Sequence, residues 1–450
     1  MKSIKIISLG LFCLFASCSK YLDTVPDSGL TIPKTIRDFQ QLMENEKMFN
    51  NCTAMGEFGT DDLFLPPTQL AVQQLTLRNA YVWAKDIYGG ETSPSWDNGY
   101  TTIHYANIVL NGITTLDGSS SASNDELNAL KGWALFVRAR AYFDLEEVFG
   151  QPYKPASAAT DLGVPLKLGT DLEEMVKRAS VADTYKQIVN DLEEAVVLLP
   201  VEFNKINRSK PSRSAAAALL SRIYLVMQNY EQSLKFANQS LELYSTLTDY
   251  NNLNTSASLP FSPIIDEVIY NALQLNYFNR FWEVERPFYN TYLSDDLRKV
   301  LFFKEDAVSK GMIFKGFYSN SPVAFNGLAT DEVYLTKAEC LARLGQNEPA
   351  LTTLNTLLIK RFKKDKFVPY SIVNTADVLG LILTERRKEC LFRNLRWADL
   401  RRLNQDPRFA KTLTRIVNGT LYQLPPNDVR YALPIPDNEI RISGIEQNLR

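Results

Sequence analysis

The stretch that most limits what this chain can become is Pro211–Tyr244, where two runs of helical periodicity follow each other across a few residues. In the first, Ala215, Leu219, Leu220, Ile223 and Met227 recur at three- and four-residue steps and so share a face. In the second, Tyr230, Leu234, Ala237, Leu241 and Tyr244 do the same. Small residues (Ala215 to Ala218, then Ala237) let the two backbones approach closely. Such a hairpin cannot bury both its faces alone, so it needs neighbours stacked on it.

One neighbour is readable downstream. Asp331–Arg361 aligns on the first pair without gaps, setting Met227-Gln228-Asn229 on Leu344-Gly345-Gln346, Leu234 on Leu351 and Leu241 on Leu358. Gly345 falls where a helix C-terminus takes a left-handed residue, and Pro349 falls in the first turn of the next helix. Tetratricopeptide-like pairs are therefore expected at 212–244 and 331–361. Further helical runs are read at about 96–113, 125–149 and 183–200, the last capped by Asp183, and at about 376–403. A short amphipathic helix is read near Ile36–Met43. The expected fold class is all-α, a helical repeat of about four pairs with long loop insertions. A small β element is expected from the β-prone runs Val268–Leu273 and Met312–Tyr318, and an extended tail from Tyr431 onward.

Composition narrows the chemistry. A chain of 450 residues, 45% hydrophobic, can bury a large core, and a net charge of −2 without a long basic run does not point to nucleic acid. Histidine occurs once, at His104, which removes His-based metal sites and Ser-His or Cys-His triads. The five cysteines show no CxxC or zinc spacing; Cys340 and Cys390 lie on apolar helix faces as buried thiols. No cofactor is implied. Carboxylate pairs exist, but nothing sets an acid and a base across a cleft, so a non-catalytic protein is expected.

Residues 1–17 read as an export leader: Lys2 and Lys5, then the apolar run Ile6–Phe15, too short for a bilayer span of about twenty residues. Phe15-Ala16-Ser17-Cys18 resembles a lipobox, which implies cleavage before Cys18 and lipidation of Cys18. Two or more acyl chains hold a protein stably on a membrane where one does not. Residues 18–34, with Pro26 and Pro33, read as a tether, and 35–450 as one domain.

Two regions are dense in aromatic residues. The first, Tyr81–Tyr100, holds Trp83, Tyr88 and Trp96 around Gly89-Gly90 and Pro94. The second is the insertion 246–330, with Tyr277, Trp282, Tyr289 and Tyr292. An insertion of this size in a helical array usually carries function. Glu385, Glu389, Arg393, Arg396 and Asp399, at three- and four-residue steps, read as a structural ion-pair ladder.

The chain resembles the SusD/RagB family of outer-membrane nutrient-binding lipoproteins. The resemblance is carried by the lipobox with Tyr21-Leu22-Asp23, by Asp61-Asp62, by Trp96 to Ile113, and by Arg138 to Leu145 with Phe149-Gly150. The two repeats, Glu385 to Arg402, and Leu433-Pro434-Ile435-Pro436 with Glu439-Ile440 complete it. It implies a lipid-anchored protein on the outer face of the outer membrane. It also implies a SusC-like TonB-dependent transporter as partner, over which such a protein sits as a hinged lid.

The expected ligand is an oligosaccharide. Flat rings suit the C–H faces of sugars, and Asp or Asn side chains suit their hydroxyl pairs. The candidates are Asp61, Asp62, Trp83, Tyr88 and Trp96 from the first region, and Tyr277, Trp282, Tyr289 and Tyr292 from the insertion. Trp96 suits a core position at a helix start equally well, and Asp61 and Asp62 also suit turn caps. At roughly 25 cal/mol/Å² and about 100 Å² covered per ring, each platform supplies about 2.5 kcal/mol. Two or three rings then barely exceed an association cost of about 4 kcal/mol or more, so affinity is expected to be weak. Oligopeptide capture and a tetratricopeptide scaffold for protein partners are the alternatives.

Overall fold

Stacked hairpins need an array, and the computed structural model shows one. It describes residues 33–48, 50, 53–116, 123–202, 206–262, 265–275, 283–307 and 309–450. The leader, Cys18, most of the tether, Tyr277 and Trp282 lie outside the described residues. The frame is carried by helices α1 (Ile36–Glu44), α2 (Pro94–Thr115), α3 (Asn124–Phe149), α4 (Val181–Leu198), α5 (Arg213–Val226) and α6 (Tyr230–Leu243). It continues through α7 (Thr330–Arg343), α8 (Asn347–Leu358), α9 (Val378–Glu389), α10 (Arg396–Leu403) and α11 (Asp437–Ser443). From α2 to α9 each helix packs on the one before it.

The two hairpins match in detail. Gln228 and Gly345, aligned in sequence, both take left-handed backbone, with φ of 60° and 77°. In each turn the next amide reaches back five residues: Asn229 N–H to Tyr224 O at 2.9 Å, and Gln346 N–H to Leu341 O at 2.8 Å. That closure satisfies carbonyls the helix end would leave bare. Between α5 and α6, Ser221 and Ser233 exchange hydroxyl-to-carbonyl bonds of 3.0 and 2.7 Å, which only backbones in close approach permit. Helices α3 and α5 are buried almost all round, because neighbours cover both their faces. Gly99 lets α2 close onto α3: a Cβ there would meet Leu145 at 2.8 Å.

Helix starts follow their caps. Ser123 and Glu126 form a reciprocal capping box at α3. At α4 the cap is Ser180, whose hydroxyl accepts from the Asp183 amide at 3.0 Å, so the helix begins earlier than expected, with Asp183 in its first turn.

The strands are short and antiparallel: β1 (Leu162–Pro165) with β2 (Arg178–Ser180), β3 (Val268–Tyr270) with β7 (Leu328–Ala329), the order β4 (Glu283–Val284), β6 (Met312–Phe314), β5 (Phe303–Glu305), and β8 (Leu413–Val417) with β9 (Thr420–Leu424). The two β-prone runs of the insertion thus belong to different sheets. The helix expected over 376–403 is broken at Cys390–Leu395, where Phe392 and Asn394 adopt φ of 56° and 59°. The tail expected to be extended forms α11, which ends at left-handed Gly444.

The glutamate–arginine segment pairs along itself, Lys388 with Glu385 and both Arg386 and Arg402 with Asp399, and it also pairs outward. Glu385 and Glu389 hold Arg298, Glu389 also holds Arg361, Arg393 holds Asp331 and Arg402 holds Glu339. These buried ion pairs bolt α9 and α10 to α7 and to the insertion.

Candidate functional site

A cleft of about 440 Å³ lies along one stripe of α2. Pro94 opens that helix at its first position, where a missing N–H costs nothing. Trp96, Tyr100, Ile103, His104 and Asn107 then fall on one face and line the cleft. The second wall is a strap between β1 and β2, from Pro165 to Val176, and the third is α11 with Glu439, Ile442 and Ser443.

The strap is held from below. Tyr100 donates its hydroxyl to Pro165 O at 2.9 Å, and Tyr142 donates to Lys167 O at 2.6 Å. The Asn107 amide donates to Lys167 O and Gly169 O, both at 2.9 Å. Its carbonyl accepts from Arg138, whose guanidinium is clamped two-pronged on Asp191 at 2.7 and 2.8 Å. At the strap's far end Arg178 ties Gly163 O to Glu446 O and Asn448. The strap's backbone is therefore held from Pro165 to Gly169, while further along it Leu172 is 71% exposed and Met175 60%, and Ile442 of α11 is 68% exposed.

The floor is aromatic. Trp96 is 3% exposed, edge-on to Phe149 at 5.1 Å and tilted against Tyr100 at 4.8 Å. Tyr100 and Tyr105 are half-buried. Burial pushes the Tyr100 hydroxyl well above its ordinary range, so it stays a donor. Burial and nearby Lys167 lower His104, keeping its imidazole neutral at pH 7. Partial burial and the neighbouring Glu439 raise the Asp97 carboxyl. Rings that could stack on a ligand and carboxylates that could accept hydrogen bonds from it thus line one hollow.

Of the candidates among the described residues, Trp96 alone lines this cleft. Trp83, Tyr88 and Tyr292 are corrected to framework: all are buried, with their polar atoms donated to Gly59 O, Pro434 O and Lys388 O. Asp61 and Asp62 are likewise clamps, not open acceptors. Asp61 binds Arg396 at 2.8 Å and Lys411 at 2.6 Å, and Asp62 binds Arg387 at 2.7 Å. Against the cost of burial, Arg396 and Arg387 hold the Asp61 carboxyl well below the usual carboxylate range. Tyr289 stays half-buried beside Phe303, with Lys299 over its ring at 4.9 Å, away from the cleft.

Sequence reading missed Tyr100, Tyr105, Asn107, the strap and α11 as site residues. The four-residue step Trp96–Tyr100–His104 was a usable signal; the approach of 165–176 and 437–443 was not. One cluster of three carboxylates, Glu267, Asp331 and Glu389, lies elsewhere, and its lone pairs are taken by Arg361, Arg393 and Arg298.

Two family models match the chain: one described as starch-binding associating with outer membrane, over residues 20–225, and one described as the SusD family, over residues 330–449. The chain belongs to the SusD/RagB family. Among curated relatives, SusD-like protein P2 of Formosa agariphila is 27% identical over 151 residues, 33% of this chain and 26% of that protein. The match thus spans about a quarter of the relative's length. Solved SusD-like folds superpose over nearly everything. A SusD superfamily protein from Bacteroides thetaiotaomicron gives a TM-score of 0.74 at 22% identity, covering 92% of this chain and 100% of the other. The surface glycan-binding protein A of Bacteroides fluxus gives 0.70 at 17% identity, covering 92% and 99%. At these identities the likeness shows the SusD fold. No helix among the described residues is long and apolar enough to cross a membrane.

Proposed function

We propose that this SusD-family protein is a non-catalytic glycan-binding lipoprotein of the outer membrane, anchored through Cys18, that passes its ligand to a SusC-like TonB-dependent transporter. The observation that carries the reading is the cleft: an aromatic floor beside fixed polar groups, on a fold shared with a protein named for surface glycan binding. Sugar C–H faces stack on rings such as Tyr100 and Tyr105, while hydroxyls meet the carboxylates and the Lys167 ammonium. The test is a glycan screen by isothermal titration on the full chain in detergent, repeated with Tyr100→Ala. The reading expects weak binding that this variant weakens further; unchanged affinity would remove the cleft.

The exposed Leu172, Met175 and Ile442 side chains favour a second reading, in which the same hollow takes apolar side chains of an oligopeptide. Peptides in the same screen separate the two. Loss of membrane association in Cys18→Ala, and co-purification with a TonB-dependent barrel, test the anchor and the partner.

A further inference from the structure

Elsewhere in this molecule several buried carboxylates are matched by arginines: Asp61, Asp191, Asp331, Glu332 and Glu339 each lie within ion-pair reach of one. The cleft breaks that habit. Asp97, Asp171, Glu174 and Glu439 line it, and among the described residues none of the four forms an ion pair. Lys167 is the one cation on the described lining, since His104 is held neutral. The Arg138 guanidinium beneath the floor is consumed by Asp191. Asp97 rises from the first turn of α2 and Glu439 from α11, so two separate walls each bring a carboxylate to one hollow, near enough for Glu439 to raise the Asp97 carboxyl. A concave site lined by one sign of charge focuses its field on whatever enters.

We propose that the cleft selects its saccharide by charge, favouring amine-bearing over neutral sugars and rejecting uronates and sulfated ones, with Asp97 and Glu439 as the specificity-determining pair; this rests on the glycan reading of the same cleft. An ammonium placed between the two carboxylates gains from both. An anionic sugar meets their repulsion with a single ammonium to offset it.

The probes are β-1,4-linked hexamers that differ mainly in charge: the glucosamine hexamer, cellohexaose, and cellohexaose oxidised to uronate at C6. Titrated into the full chain in detergent at low salt, they are expected to bind in that order, with steps of about two- to fivefold per carboxylate engaged. The order should compress at about 0.5 M salt, where screening acts within a few Å. In Asp97→Asn/Glu439→Gln the three affinities should converge. Uronate binding as tightly as the amine, an order that survives salt or the double variant, or no binding of any hexamer would each overturn the proposal. The salt series on the unaltered chain decides the matter even where the variant does not fold. Cellohexaose binding that Tyr100→Ala weakens, without any charge order, would sink charge selection alone. Binding indifferent to Tyr100→Ala would sink the glycan reading itself.

Discussion

Between Glu385 and Arg402 almost every charge is buried against an opposite one, while along the first turns of α2 the charges stand open beside exposed apolar side chains. Both regions are built from the same residue types, and both bring distant segments together. The difference is where the partner comes from. In the first, Arg298 has no exposed surface and spends its donors on Asp296, Glu385 and Glu389. In the second, the fold supplies partners for the strap's backbone through Tyr100, Asn107 and Tyr142, and among the described residues Asp97, Asp171, Glu174 and Glu439 form no ion pair. A framework spends its polar groups internally, and a recognition site keeps some in reserve.

The largest effect expected is on the paired side. Arg298→Met strands the buried Asp296 carboxylate, leaves Glu385 and Glu389 with one cation fewer, and should lower unfolding free energy by about 3–5 kcal/mol, read from the urea midpoint. A midpoint near that of the unaltered chain would mean the network is ornamental. Trp83→Ala belongs to the same side. It empties a buried site and breaks the bond to Gly59 O, so it should cost about 3–5 kcal/mol of stability while leaving glycan titration at the cleft unaltered. Tyr100→Ala sharpens the contrast from the open side: a binding loss of about 1–2.5 kcal/mol, with a smaller shift of the unfolding midpoint than Trp83→Ala.

A titration distinguishes the regions further. Glu57 is fully buried against the Cys390–Leu395 break and accepts from the Asn394 amide. Burial, with help from Asp62, pushes its carboxyl up to about 8. Because the folded value lies above the unfolded one, the folded state binds the extra proton, and stability falls as pH rises through that window. Glu57→Gln should remove on the order of 2 kcal/mol of this fall over about pH 5–8, measured by denaturation at several pH values. A pH profile that the variant leaves unchanged would show that Glu57 is already ionised. The smallest effect tests the repeat itself. Gln228 holds left-handed backbone that its counterpart Gly345 holds freely, so Gly345→Gln should cost about 1 kcal/mol in thermal unfolding.

The frame was legible because helical periodicity and turn chemistry are local. Leu219 to Tyr244 and Leu341 to Leu358 reveal their faces without knowledge of anything else, and the Gln228–Gly345 register follows. The broken helix after Glu389 was not legible, since positive φ at Phe392 and Asn394 is imposed by tertiary contacts such as Glu57 to Asn394. The site was harder still. Aromatic density singled out Trp83, Tyr88 and Tyr292, yet a ring with a hydrogen-bonding edge suits a core as well as a surface, and backbone carbonyls claimed all three. Asp61 and Asp62 looked available only because Arg387 and Arg396 are more than three hundred residues away in the chain. The strap and α11 become walls only after folding.

The position of a bound glycan in a crystal of the complex tests the central claim most directly. Sugar rings should lie between the Trp96–Tyr105 face of α2 and the Leu172–Met175 strap, within contact distance of about 4 Å. Sugar density on another surface, with this hollow empty, would contradict it.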